Sequence, residues 1–207
     1  ALNIVLDAPI KLGETAIVFG QGTVGLLVTQ LLKLAGARVI AVDPMENRRR
    51  LSLKAGGDVA LEPGEGLTRY VMEETSGLGA DVAIEASGSS AALRAAVDCV
   101  APEGTVVAAS WYGTKPVSLD LGGHFHRGRV RLKSSQVGSI PPELSTRWDR
   151  ERRTRTVLNL LPKLRLKDLV SRLIPFEDAP EAYHLLDRNR EDHVQLVFEY
   201  GDEEEEA

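Results

Sequence analysis

The chain has 207 residues, a formal charge of -5 at neutral pH, 43% hydrophobic and 27% charged residues, and a single cysteine. That length suits one α/β domain plus a small extra lobe, and the acidic balance argues against a general nucleic-acid binder. The lone Cys99 excludes an intrachain disulfide and a multi-cysteine zinc site, and no apolar run approaches membrane-spanning length.

Residues 1–11 read as the end of a helix broken at Pro9, and a start without methionine looks like a cut inside a longer protein. The β-branched run Ala16-Ile17-Val18-Phe19 then predicts a buried strand. Glycines follow at Gly20, Gly22 and Gly25, the spacing G-x-G-x-x-G, and Val24, Leu27, Val28, Leu31 and Leu32 recur at helical spacing as far as Gly36. Residues 38–42 form a second strand ending in Asp43, and residues 46–55 a charged helix stopped by Gly56-Gly57. A short strand over 58–61, a helix over 67–75, a strand over 81–85, an alanine-rich helix over 89–100 and a strand over 104–110 complete the alternation. Strands alternating with helices at this spacing mean a parallel, doubly wound sheet, and right-handed crossovers favour the order 3-2-1-4-5-6.

After Ser110 the pattern loosens, with a loop-rich stretch over 111–128 and a sixth strand over 130–137. Pro141-Pro142 is a hard stop before a long helix expected over 144–161. A strand over 170–174, a helix over 178–187 and a strand over 194–199 follow, and five acidic residues, 202–206, read as a solvated tail.

The glycine stretch carries the chemistry. The first glycine permits a tight turn, the second lets backbone approach a pyrophosphate, and the third lets helix pack closely on strand. The positive end of the following helix then faces the phosphates. Asp43 lies about twenty residues on, where such units place a carboxylate for the ribose hydroxyls. A carboxylate there repels a 2′-phosphate, favouring NAD over NADP; Asp43 also suits a helix-start role, and both can coexist. The cluster Arg48-Arg49-Arg50 is the feature that would instead admit a 2′-phosphate.

At this point the chain resembles the medium-chain dehydrogenase/reductase superfamily, the zinc-type alcohol dehydrogenases and their relatives. The matching text is LDAPIKLGETAIVFGQGTVGLLVTQLLKLAGARVIAVD, ADVAIEASG, EGTVVAAS and LIPFEDAPEAYHLL; the segment HFHRGRVRLKSSQVGSIPPELSTRWDR is similar to a branch with bacteriochlorophyllide dehydrogenase-like members. The resemblance implies a Rossmann-type doubly wound six-stranded sheet with a small C-terminal α+β lobe. It divides the chain into a linker remnant over 1–12, a dinucleotide-binding domain over 13–139, a lobe over 140–200 and the acidic tail over 201–207. It implies an NAD-dependent oxidoreductase passing hydride between nicotinamide and an alcohol or carbonyl substrate; charge and the lack of a signal peptide or spanning run add the expectation of a cytoplasmic protein without nucleic acid or membrane as partner. The rival is a non-catalytic dinucleotide-binding redox sensor or subunit.

Residue by residue, the resemblance places Gly20, Gly22, Thr23, Val24 and Gly25 at the pyrophosphate turn, with Asp43 and Arg48 at the adenine ribose. Ala86, Ser87 and Ser110 fall at strand ends facing the crevice, although each suits packing or a turn equally well. No position matches the family's zinc ligands, and no catalytic acid or base can be named. Gln195 falls near where relatives carry a basic residue. His124 and His126 would share one face of an extended chain, as two metal ligands do, but two ligands do not make a zinc site. The arginines over 147–155 read as a solvated face with ion pairs, or else as an anion site. The sixth strand, as the sheet edge, implies pairing with its twin in a homodimer; Arg129, Arg131 and Lys133 are the charges that would block it.

Overall fold

The computed structural model describes residues 1–189 and 191–201. It divides into two compact units, Ala1–Leu164 and a second that begins at Arg165. The first unit opens with α1 (Leu2–Asp7) and continues as β1 (Thr15–Phe19), α2 (Thr23–Leu34), β2 (Arg38–Val42), α3 (Glu46–Lys54), β3 (Val59–Leu61) and α4 (Leu67–Glu74). Then come β4 (Ala80–Glu85), α5 (Ser90–Cys99), β5 (Val100–Ala108), the one-turn α6 (His124–Arg127), β6 (Arg131–Ser134) and α7 (Arg150–Leu160). The six strands form one sheet in the order β3-β2-β1-β4-β5-β6, and every pairing is parallel. This is a Rossmann-type doubly wound sheet, as expected.

The two-residue repeat of a strand explains the two cores. Ile17, Phe19, Ile40 and Val42 point to one face and pack with Val71, Leu93, Ala96 and Val97 from α4 and α5. Ala16, Val18 and Val39 point to the other and pack with Ile4, Val28 and Leu32 from α1 and α2. Strands buried on both faces read as unbroken apolar runs, which is why β1 and β2 were legible. Cys99, the last residue of α5, is fully buried.

Several segments depart from the sequence reading. The fifth strand starts at Val100 rather than residue 104, because Val100 pairs with Ala80 before the register shifts and Thr105 pairs with Val82. The intervening residues bulge outward, with Glu103 at φ 61° reaching Arg129 at 2.7 Å and Arg131 at 3.2 Å. The long helix expected over 144–161 is broken. A 3-10 turn covers Pro142–Leu144, and α7 begins only after Asp149, whose extended backbone and side-chain bond from Arg152 N at 2.6 Å cap a new start. Residues 140–164, grouped with the lobe on sequence grounds, pack within the first unit: Arg153 donates to Asn3 Oδ1 at 2.6 Å and Val137 O at 2.8 Å.

The second unit contains β7 (Val170–Pro175), α8 (Ala179–Arg188) and β8 (Gln195–Glu199). Its two strands run parallel around a small core of Ile174, Ala182 and Leu196. Phe176 stacks on Tyr200 at 4.7 Å and meets Phe198 edge-on at 6.1 Å. The acidic run over 202–206 lies outside the described residues.

Candidate functional site

The glycine turn is built by sterics. Gly20 follows β1 at φ +90°, and a Cβ there would lie 2.8 Å from Ser87 Cβ and Ser87 N and 2.9 Å from Ala86 C. Only glycine reaches that φ without strain while letting β4's end approach so closely. A Cβ on Gly25 would lie 1.8 Å from Gly20 O, so the first turn of α2 packs directly on the end of β1. Gly22, the residue before α2, faces open space: its Cβ would meet only Arg48 Nη1, at 3.9 Å. The turn is therefore crowded behind and open in front. First-turn amides of a helix have no intrahelical acceptor, and with the helix dipole they favour an anion here.

Asp43 closes the turn from the side of β2. It is 3% exposed, its Oδ2 accepts from Gln21 N at 2.7 Å, and its Oδ1 accepts from Met45 N at 2.9 Å. It thus organises the start of α3 and the glycine turn at once; each carboxylate oxygen keeps a second lone pair for a further donor. Gln21 is fully buried, donating from Nε2 to Val18 O at 3.1 Å and accepting from Thr29 Oγ1 at 3.1 Å. The three arginines that follow separate by role. Arg49 donates to Asp43 O at 2.8 Å and Pro44 O at 2.7 Å, bracing the loop. Arg48 turns toward Gly22, with a buried Nε lacking a hydrogen-bond partner among the described residues, and Arg50 is exposed.

On the other side of the turn, the ends of β4 and β5 meet. Glu85 is fully buried at the last position of β4. Its Oε1 accepts from Ser87 N and Ser87 Oγ, both at 2.6 Å, and from Gly88 N at 2.9 Å; its Oε2 accepts from Tyr112 Oη at 2.5 Å. Burial, with Glu85's hydrogen bond and charge, pushes the Tyr112 phenol above its ordinary range, so it stays a proton donor. Ser110 Oγ donates to Glu85 O at 3.5 Å, and Ser110 Cβ lies 3.7 Å from where a Gly88 Cβ would stand. Ala86 N bonds Phe19 O at 2.8 Å, continuing the ladder to β1. Gly20, Gly22, Thr23, Val24, Gly25, Asp43, Arg48, Ala86, Ser87 and Ser110 thus gather at the C-terminal ends of β1, β2, β4 and β5. That edge, where the strand order reverses between β1 and β4, is the crevice such sheets use for ligands.

Gln21, Glu85 and Tyr112 are the residues the sequence reading passed over. Glu85 carried a signal, an acidic residue at the end of an apolar strand, which needs partners if buried. Tyr112 sits in a loop with no periodicity to flag it.

Two other candidates come apart. His124 and His126 lie on the one-turn α6, where residues two apart do not share a face; His124 Nε2 instead contacts Val100 O at 2.7 Å and His126 is exposed. Among the described residues no group of three or more His, Cys, Asp or Glu side chains is placed to hold a metal ion. The arginines over 147–155 make separate local contacts rather than surround an anion: Arg150 donates to Gly138 O at 3.0 Å, Arg152 lies 4.4 Å over the Trp148 ring, and Arg155 pairs with Glu151 at 3.4 Å.

Residues 23–151 match the sequence profile of the zinc-binding dehydrogenases. The chain is 31% identical over 201 residues to D-guloside 3-dehydrogenase of Escherichia coli K12, covering 95% of itself and 57% of that protein. It is 30% identical over 190 residues to a probable D-xylulose reductase A of Emericella nidulans, covering 88% of itself and 50% of that protein. Among solved structures, 2R,3R-butanediol dehydrogenase from Bacillus subtilis superposes with a TM-score of 0.79 at 25% identity, over 95% of this chain and 54% of that one. This chain belongs to the zinc-binding dehydrogenase family, within the alcohol dehydrogenase-like superfamily, and matches its C-terminal, cofactor-binding portion. It spans about half the length of the curated relatives it matches. No helix among the described residues is long and apolar enough to cross a membrane.

Proposed function

We propose that this chain is the NAD(H)-binding part of an oxidoreductase that passes hydride between nicotinamide and an alcohol or carbonyl substrate. The observation that carries the reading is the glycine turn, which is closed to any side chain at Gly20 and Gly25 yet open at Gly22. That cradle fits a dinucleotide pyrophosphate against the start of α2. Asp43, held by the amides of Gln21 and Met45, turns its remaining lone pairs to the adenine-ribose hydroxyls and disfavours a 2′-phosphate. Arg48, lying against Gly22, adds positive charge on the same side. When bound, the nicotinamide ring supplies the hydride donor or acceptor. This chain's own residues would bind and orient the cofactor.

The relatives named D-guloside 3-dehydrogenase, D-xylulose reductase A and 2R,3R-butanediol dehydrogenase support a small hydroxyl or carbonyl substrate. Homodimerisation through β6 fits the structure as well. Arg129 and Arg131 both pair with Glu103, and Lys133 pairs with Asp7 at 3.1 Å and Glu143 at 3.7 Å, so these cations are satisfied within the chain. The edge strand's backbone groups remain the natural template for a twin.

A calorimetric titration with NADH and NADPH, run beside Asp43→Asn, tests the cofactor reading. NADH should bind more tightly than NADPH, and the variant should narrow the gap. NADPH binding as tightly as NADH, or no binding of either, would sink it.

A further inference from the structure

The doubly wound sheet assigns the two halves of a dinucleotide to its two halves. Asp43, at the end of β2, takes the adenosine side, and the α2 turn takes the pyrophosphate. Continuing across the reversal point leads to the ends of β4 and β5, which is where Glu85 sits. A fully buried carboxylate is costly unless every lone pair is used. Here it receives four hydrogen bonds, three from residues 87–88 after β4 and one from Tyr112 after β5. Two loops from different strands are thus fastened to one buried anion, directly beside Gly20, whose missing Cβ leaves room for Ala86 and Ser87. None of these bonds is required to complete the sheet: β4 and β5 are already joined by their ladder as far as Glu85 and Ala108.

We propose that Glu85 is a positioning residue for the nicotinamide half of the cofactor site, acting through Tyr112 and Ser87 to lock the loops that wall that half. The inference rests on the dinucleotide reading above and goes beyond it by dividing the crevice into two separately breakable parts. Glu85 itself does not touch cofactor, because its oxygens are spent on the loops. Removing the Tyr112 hydroxyl releases the loop after β5 while leaving the glycine turn, Asp43 and Arg48 as they are. The adenosine half should then be unaffected and the nicotinamide half loosened.

The test is a comparison of two probes, ADP and NADH, on the chain and on Tyr112→Phe. ADP should bind both proteins equally. NADH should bind the parent chain more tightly than ADP does, and should lose roughly tenfold in the variant, the order expected for one charge-assisted hydrogen bond. The bound nicotinamide fluorescence should shift toward that of free NADH, a change that a general loss of stability would not produce at saturating ligand. Ser87→Ala, which breaks one bond in the other loop, should move the NADH-to-ADP ratio in the same direction and serves if Tyr112→Phe does not fold. An unchanged NADH affinity, or an equal loss for ADP and NADH, overturns the assignment. Parent chain that binds ADP but gains nothing from the nicotinamide half also overturns it, while leaving the adenosine site standing. Parent chain that binds neither probe overturns both this inference and the cofactor reading.

Discussion

Gly22→Ala separates binding from folding more cleanly than any other substitution in the turn. Gly22 has φ -73° and ψ -171°, a conformation open to alanine, and the added methyl meets only Arg48 Nη1 at 3.9 Å. Alanine gains about 0.4–1 kcal/mol by restricting the unfolded chain and forfeits a comparable amount as a poorer helix cap, so stability should change by less than about 1 kcal/mol. On the proposed cofactor reading binding is different, because the methyl would occupy the approach that a pyrophosphate needs. Displacing the phosphates breaks one or two charge-assisted hydrogen bonds, roughly 2–4 kcal/mol, or about 30- to 700-fold in affinity. Gly25→Ala is the contrast. Its Cβ would stand 1.8 Å from Gly20 O, a backbone atom that cannot step aside, so α2 must move off β1. That overpacking should cost roughly 3 kcal/mol or more. Thermal unfolding and NADH titration of the two variants give the measurement. Gly22→Ala that binds NADH as the parent chain does, or Gly25→Ala that is as stable as the parent chain, would refute the reasoning.

Three further outcomes follow from single side chains. Burial pushes the Cys99 thiol up to about 11, so a thiol reagent at pH 8 should find about one thiolate in a thousand and react only as the chain opens; rapid labelling of native protein would contradict this. For Asp58, burial works upward, but Lys33 and the Val39 amide, with the charges of Lys33 and Arg38, outweigh it and hold the carboxyl below its usual value. The stability it contributes is therefore present above the unfolded carboxylate's pKa and lost as pH falls through the lower folded value. Asp58→Asn should flatten the acid limb of the stability curve below about pH 4, seen in denaturant titrations at several pH values. Asp149→Ala removes the cap that starts α7 and should cost about 0.5–2 kcal/mol, with a matching fall in unfolding midpoint.

The sequence determined the sheet and the glycine turn. Both depend on short-range physics: β-branched runs buried on two faces, helical repeats of apolar residues, and glycines at positions where a side chain is sterically forbidden. The order of the strands followed from those elements and the handedness of crossovers, and the end of β2 located Asp43 by simple counting. Where the determining contact lay far away in sequence, the chain was silent. Nothing near residue 104 announces that Val100 pairs with Ala80, and nothing between 144 and 161 shows that Asp149 will cap a fresh helix in place of one long one. His124 and His126 looked paired only on the assumption of an extended backbone, which a single helical turn removed. The arginines over 147–155 read as a solvated face with ion pairs or else as an anion site, and nothing in the sequence showed that Arg153 would reach Asn3, 150 residues away. Most of all, tertiary structure alone decided that Glu85 is buried and that Tyr112 answers it. A carboxylate at a strand end is ordinary on paper; what makes it a fastening for two loops is the desolvation that obliges it to collect donors from both.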